Sequence, residues 1–193
     1  MRLILASASP RRRDLLFQIG VTEFDVAVAD IDEQPFCGEA PQAYVRRLAL
    51  AKASAVSVDS APPGAAVLAA DTAVVVNGQI LGKPRDFPDY VSMMQKLSGT
   101  SHTVFSAVAL VAGEAAVRVS RSVVTFRPLT DAEIAAYWRT GEPADKAGGY
   151  AIQGRAASFI SHLEGSYSAV MGLPLFETAE LLLEQGFALW NGT

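Results

Sequence analysis

Ser9-Pro10 is followed by three arginines, Arg11, Arg12 and Arg13. A serine before a proline suits the cap and first position of a helix. Cations at that end oppose the helix dipole, by about 0.3–1 kcal/mol each when exposed, whereas the unpaired amides there attract anions. A phosphate chain would satisfy the arginines, those amides and the serine hydroxyls together. Solvation, or pairing with Asp14, Asp30 or Glu33, is the other reading of the same residues.

Asp71 closes a run of small and apolar residues, Val67-Leu68-Ala69-Ala70, and so reads as a carboxylate at the C-terminal end of a buried strand. Open α/β sheets present ligand-handling groups at that edge. A turn-initiating aspartate is the plainer alternative. Thr72 beside it can order a water or a ligand, and Asp71 with Glu33 can supply oxygens to a magnesium ion, which is commonly held by one or two carboxylates plus substrate phosphates. Lys83, fixed by Pro84 in Gly82-Lys83-Pro84-Arg85-Asp86, and Lys52, on a helix face, can neutralise phosphate charge or simply be solvated. The glycines of the segment 145–154 permit close backbone approach to a ligand. Within it Gln153 offers the donor-plus-acceptor amide that recognition of a base uses.

The elements that must position these groups alternate between strands and helices at both ends of the chain. A short strand at Arg2–Ala6 leads into a helix from Pro10 that stops near Gly20, and a strand follows over Glu23–Val28. Pro41–Ser57 is helical, with Tyr44, Leu48, Ala51 and Ala55 on one face. Ala65–Ala70 reads as one strand, and Val74–Val76 with Gln79–Leu81 as a separate hairpin about Asn77-Gly78, a pair suited to the type I′ turn. A short helix spans Phe87–Leu97. An antiparallel pair, Thr103–Ala112 and Ala115–Phe126, turns at Gly113-Glu114. Thr130 and Glu133 form a capping box for a helix over Asp131–Arg139. Gly141–Gly154 is a loop, Ala157–Ser161 a strand, and a last helix runs from Pro174 to Gln185. The pattern is α/β with a mixed sheet, and no composition break divides residues 1–193.

With 193 residues, half of them hydrophobic, the chain can bury a core unaided. A formal charge of −4 argues against broad binding to nucleic acid, which needs a positive surface. One cysteine, Cys37, allows no intrachain disulfide, and with only His102 and His162 a Cys/His zinc site is not expected; both histidines read as packing or surface residues. The first residues lack the apolar core of a signal peptide, and no stretch approaches the ~20 apolar residues of a membrane span, so a cytoplasmic location is expected. GxGxxG after the first strand, GxxxxGK[ST], HExxH and GxSxG are all missing, and with them the dinucleotide, Walker, zincin and α/β-hydrolase mechanisms.

Several stretches recur together in order: Leu5-Ala6-Ser7-Ala8-Ser9-Pro10-Arg11-Arg12, Asp32-Glu33, Ala70-Asp71-Thr72, Gly82-Lys83-Pro84-Arg85-Asp86, Asp145 through Tyr150 with Ile152-Gln153-Gly154, and Gly165-Ser166-Tyr167 through Gly172-Leu173-Pro174. Over essentially its whole length the chain resembles the Maf family of nucleotide pyrophosphatases. The resemblance implies an elongated mixed-sheet α/β fold with two lobes around a central cleft, similar to the inosine triphosphate pyrophosphatases, and a homodimer. It implies hydrolysis of a nucleoside triphosphate between the α and β phosphates with a divalent cation, Mg2+ or Mn2+. Asp71 matches the catalytic carboxylate, and Arg12, Thr72 and Gln153 match the positions that track substrate choice, in the form of the dTTP/UTP branch. Ser9, Arg12, Arg13, Lys52 and Lys83 are expected at the phosphates, and Glu33 with Asp71 at the metal. Arg13 and the pair Gly148-Gly149 lie at positions where the flanks of these motifs vary. The rival expectations are a non-catalytic nucleotide-binding regulator of cell division, which would not need Asp71 and Glu33 to converge, and a purine-selective pyrophosphatase acting on inosine or xanthosine triphosphate, which would need a wider base pocket.

Overall fold

A computed structural model describes residues 1–59 and 61–190. Its centre is a seven-stranded mixed sheet in the order β2-β1-β3-β5-β6-β7, with β4 added on β3. The strands are β1 (Leu3–Ala6), β2 (Asp25–Ala27), β3 (Ala66–Val76), β4 (Gln79–Leu81), β5 (Ser101–Ala112), β6 (Glu114–Phe126) and β7 (Ile160–Glu164). The helices are α1 (Pro10–Gln18), α2 (Pro41–Asp59), α3 (Phe87–Leu97), α4 (Asp131–Trp138), α5 (Tyr167–Met171) and α6 (Leu175–Glu184). Short 3₁₀ helices occupy Ala147–Gly149 and Arg155–Phe159.

Most local readings hold. Asn77 and Gly78 both take positive φ, 49° and 75°, as a type I′ hairpin requires. The Thr130–Glu133 capping box closes on α4. Two readings are corrected. Ala65–Ala70 and Val74–Val76 are not separate strands but parts of one, β3, because β5 pairs with it at every residue from Val67 to Val75. Asp71 is therefore in mid-strand rather than at a strand end. The strand expected at Ala157–Ser161 begins three residues later, at Ile160. The chain turns as a 3₁₀ helix through Phe159, and β7 joins β6 from Ile160 after an irregularity at Thr125/Phe126. The helix α5 has no counterpart in the sequence reading; its five residues are too few to show periodicity.

Among the described residues the core is in three clusters, and β3 feeds all of them. Leu5, Leu16, Leu68, Leu110 and Leu182 fill one face under α1 and α6. Val45, Ala49, Ala53, Ala69 and Ala109 fill the other face under α2. Val74, Tyr90, Met94, Phe126 and Tyr137 form the third, at the far end under α3 and α4. Each fully buried leucine contributes about 1.5–3 kcal/mol, so both ends of the sheet are firmly packed. The run of alanines between α2 and the sheet lets the helix lie close to β3, which sets where Lys52 can reach. Between the two ends β3 passes from one core to the other, and there the cleft of the expected two-lobed fold opens.

Candidate active site

The cleft exists because β3 loses its neighbour in the middle of one edge. β1 pairs with it only at Ala66–Leu68, and β4 only at Val74–Val76. Among the described residues no strand covers 69–73 on that side, although β5 covers them on the other. Side chains from both faces of β3 reach around this open edge into one cleft of about 620 Å³. That volume suits a small-molecule ligand.

Asp71 and Lys52 form its floor. Asp71 is 7% exposed, and Lys52 Nζ lies 2.8 Å from its Oδ1 and 2.8 Å from Glu33 Oε1. Burial raises the Asp71 carboxyl pKa above the ordinary carboxylate range; Lys52 and Arg12 oppose the shift and Glu33 adds to it. Glu33 comes from an exposed loop that α2 pins down. Tyr44 Oη donates to Glu33 O at 2.9 Å, and Arg47 Nη2 donates to Gln34 O at 3.0 Å. Arg47 also grips Glu39 with two 2.7 Å bonds and lies 4.0 Å over the Phe36 ring. The Tyr44 hydroxyl is pushed up to about 12, by burial first and then by the charges of Asp71 and Glu33.

Arg12 turns back from α1 into the cleft. Its Nε donates to Gly172 O at 2.8 Å and its Nη1 to Ser7 Oγ at 3.0 Å. Burial lowers its pKa, with Asp71 and Glu33 opposing and Arg11 adding to the effect. Ser9 holds the cap position of α1, but its side chain makes no capping bond; it lines the cleft instead. Thr72 Oγ1 lies 2.8 Å from Ser106 Oγ, and Ser106 donates to Ala169 O at 2.5 Å. A carbonyl only accepts, so the Ser106 proton is committed and Thr72 must donate to Ser106. Thr72 is left with lone pairs, and no proton, for the cleft.

Lys83 and Gln153 are exposed side chains that also line the cleft. Gly148 N–H donates to Gly82 O at 2.9 Å, tying the Lys83 turn to the 141–155 loop. Gly148 itself has φ 70°, and a Cβ there would meet Val74 Cγ1 at 2.9 Å, so glycine is required for this close approach.

Of the residues expected at the site, Ser9, Arg12, Glu33, Lys52, Asp71, Thr72, Lys83 and Gln153 all line the one cleft. Arg13 does not. It points to solvent, and Arg11 takes the wall position, its Nη1 3.6 Å from Asp145 Oδ2. A helix turns about 100° per residue, so three consecutive arginines cannot face the same way. Tyr44, Ser7, Ser106 and Asp145 were not singled out for the site from the sequence. Tyr44 had a signal, because Tyr44, Leu48 and Lys52 follow at steps of four along α2. Ser106 had none, since only the β3–β5 register brings it to Thr72. Cys37 is exposed and His162 is exposed. His102 is buried against Phe126 and Tyr150, with burial lowering its pKa to about 4.

Among the described residues no three His, Cys, Asp or Glu side chains cluster as a metal site. The pair Glu33 and Asp71 does converge on one cation, the Lys52 ammonium. That donor set fits a hard divalent ion that takes its remaining ligands from phosphate and water.

An α/β sheet broken open along one strand, with arginine and lysine heads around one buried carboxylate, defines a protein built to take a compact polyanion. The chain belongs to the Maf family, matching the family described as Maf-like protein over residues 2–185. A dTTP/UTP pyrophosphatase of Hahella chejuensis (strain KCTC 2396) is 52% identical over 192 residues, covering 98% of this chain and 95% of that protein. A dTTP/UTP pyrophosphatase of Methylococcus capsulatus (strain ATCC 33009 / NCIMB 11132 / Bath) is 54% identical over 189 residues, covering 96% and 92%. Among solved structures, a nucleoside-triphosphatase / dITP/XTP pyrophosphatase from Mycobacterium abscessus is 20% identical, covers 65% of this chain and 73% of its own, and gives a TM-score of 0.42. No helix among the described residues is long and apolar enough to cross a membrane.

Proposed function

We propose that the chain is a nucleoside triphosphate pyrophosphatase that hydrolyses dTTP and UTP to the monophosphate and pyrophosphate. The observation that carries the reading is the convergence of Asp71, Lys52, Glu33 and Arg12 in one cleft, and the naming of relatives above 50% identity as dTTP/UTP pyrophosphatases supports the choice of substrate.

The triphosphate lies with its charge against Arg12, Lys52 and Lys83, with Ser9 and the first amides of α1 beside it. A water attacks the α-phosphorus in line. A new O–P bond forms as the bond to the β-phosphate bridging oxygen breaks, and pyrophosphate leaves with that electron pair. Asp71 takes the proton of the water. Its raised pKa suits this task, because a general base works best when its pKa approaches the working pH. Lys52 keeps the carboxylate charged and oriented before substrate arrives, so most of the acceleration comes from positioning and charge stabilisation. Glu33 and Asp71 would hold a magnesium or manganese ion, which when bound neutralises charge on the phosphate oxygens.

For the base, Gln153 presents an amide that pairs with the carbonyl and N3–H edge shared by uracil and thymine. Ribose and deoxyribose are accepted alike if no buried polar group depends on the 2′-hydroxyl, because a site that needed it would reject the deoxy form strongly. The same reading carries a cytoplasmic homodimer, checked by light scattering of the purified chain.

The deciding experiment is pyrophosphate release from dTTP, UTP, CTP, GTP and ITP with magnesium or manganese, with Asp71→Asn beside the wild type. Release from dTTP and UTP that is lost in the variant is expected. A preference for GTP or ITP would overturn the assignment of Thr72 and Gln153, and binding without turnover on any substrate would favour a regulator.

A further inference from the structure

Gln153 sits in the middle of an irregular segment, Ala151–Arg155, on the cleft wall. Such a segment aims a side chain only as well as its own backbone is held. Here the backbone is held on both sides of Gln153 by one linked pair of side chains. Ala151 N–H donates to Tyr137 Oη at 3.1 Å, and Arg155 N–H donates to Glu142, 3.1 Å from Oε1 and 3.3 Å from Oε2. Tyr137 Oη in turn donates to Glu142 Oε1 at 2.6 Å. The two amides that flank Gln153 are thus tied to each other through one hydroxyl and one carboxylate.

Both members of the pair are themselves fixed. Tyr137 is buried on α4, with its ring edge-on to Phe159 at 5.3 Å and 89°. Glu142 is anchored by its main chain: its N–H donates to Thr140 Oγ1 at 3.2 Å, and Lys146 Nζ donates to its carbonyl at 2.9 Å. Gly154 records the same arrangement. Its φ of −105° is open to any residue, yet a Cβ there would lie 2.2 Å from Glu142 Oε1. The residue is glycine because the carboxylate occupies the place of its side chain. Neither Tyr137 nor Glu142 lines the cleft, so neither meets the reacting phosphates.

We propose that Tyr137 and Glu142 are positioning residues for base selection, clamping the Ala151–Arg155 segment so that the Gln153 amide meets the pyrimidine edge at one height and angle. The proposal rests on the reading of Gln153 as the residue that meets the base. A polar site discriminates strongly only when its donors and acceptors cannot drift to suit the wrong edge. Uracil and cytosine share a ring size and differ at that edge, so the UTP-to-CTP ratio of kcat/KM is the quantity the clamp controls. The ratio is independent of how much of a preparation is active, which separates positioning from general loss of stability.

The test measures this ratio for Tyr137→Phe, Gly154→Ala, Glu142→Gln and Glu142→Ala, and for Tyr137→Phe and Gly154→Ala each combined with Gln153→Ala. Tyr137→Phe removes both bonds of the hydroxyl, to Ala151 N–H and to Glu142, and the one Gln153–base hydrogen bond that then loses its aim predicts a ratio lower by about tenfold. Gly154→Ala, which keeps every core atom and only displaces the carboxylate, moves it in the same direction. Glu142→Gln keeps an acceptor oxygen and retains more of the preference than Glu142→Ala. In the Gln153→Ala background Tyr137→Phe and Gly154→Ala have no further effect on the ratio, because the clamp acts through that side chain. An unchanged ratio in Tyr137→Phe and Gly154→Ala, with a fall in Gln153→Ala, would overturn the clamp and leave the base reading standing. Independent, additive effects would also overturn it. An unchanged ratio in Gln153→Ala would overturn the base reading and with it the target of the clamp. If Tyr137→Phe fails to fold, Gly154→Ala decides.

Discussion

The two walls of the cleft are built differently. At the wall proposed for the phosphates the side chains of Arg12, Lys52 and Asp71 come from α1, α2 and β3, and each is held by hydrogen bonds or ion pairs to the others or to the backbone. At the wall proposed for the base Gln153 is an exposed side chain on a loop whose main chain is held by Tyr137 and Glu142. The contrast follows from the sizes of the energies. Stabilising several charges in a partly dry cleft needs groups that cannot relax away, and the core of the sheet provides that rigidity. Choosing between bases needs one or two hydrogen bonds in the right place, and a braced loop suffices. Chemistry should therefore fail when the first wall is changed, and preference should blur when the second is.

The largest effect belongs to Asp71→Asn. Turnover should fall by ~10²-fold or more with the fold intact by circular dichroism; near-normal pyrophosphate release from a folded variant would sink the role given to this carboxylate. Lys52→Met comes next, with kcat/KM reduced on the order of tenfold to a hundredfold. It carries a signature of its own in pH. Lys52 lowers the Asp71 pKa against the rise caused by burial, so its removal raises that pKa further. The acidic limb of the pH–rate profile should move to higher pH, and an unmoved limb would mean that some other group sets it.

Gln153→Ala should leave the melting temperature unchanged and lower the UTP-to-CTP preference about tenfold. An equal loss on both nucleotides would place Gln153 with the phosphate wall instead.

His102, bonded through Nε2 to Tyr150 Oη at 2.8 Å, lies beneath the loop wall and is tested through stability. Its folded pKa of about 4 lies below the ordinary 6.5, so between these values the unfolded chain binds more protons. The stability from keeping it neutral is complete above pH 6.5 and is lost as pH falls toward about 4, at most roughly 3 kcal/mol. Thermal melts across that range should fall more steeply for the wild type than for His102→Gln. The smallest effect is expected for Arg13→Ala, whose side chain faces solvent, with kcat/KM within about twofold of wild type. A loss as large as that of Arg12→Ala would bring Arg13 back to the phosphates.

Local sequence determined the parts whose signal is local. The hairpin at Asn77-Gly78 needs two positive φ angles, and those residues tolerate them. The capping box of α4 is formed by Thr130 and Glu133. Likewise Ser9-Pro10 starts α1, and the motif residues from Ser9 to Gln153 could be named before their places were known. What only the tertiary structure decided is everything that depends on register and on packing at a distance. The ladder to β5 made one strand of two and put Asp71 in its middle. The missing neighbour at 69–73 opened the cleft there, and the alanine-lined approach of α2 delivered Lys52 to it. One-dimensional pattern reports which way a residue faces along its own element. Which arginine of three is left facing solvent, which serine takes the proton of Thr72, and which carboxylate fills the space over Gly154 are set by contacts between residues far apart in the chain, and such contacts leave no period to read.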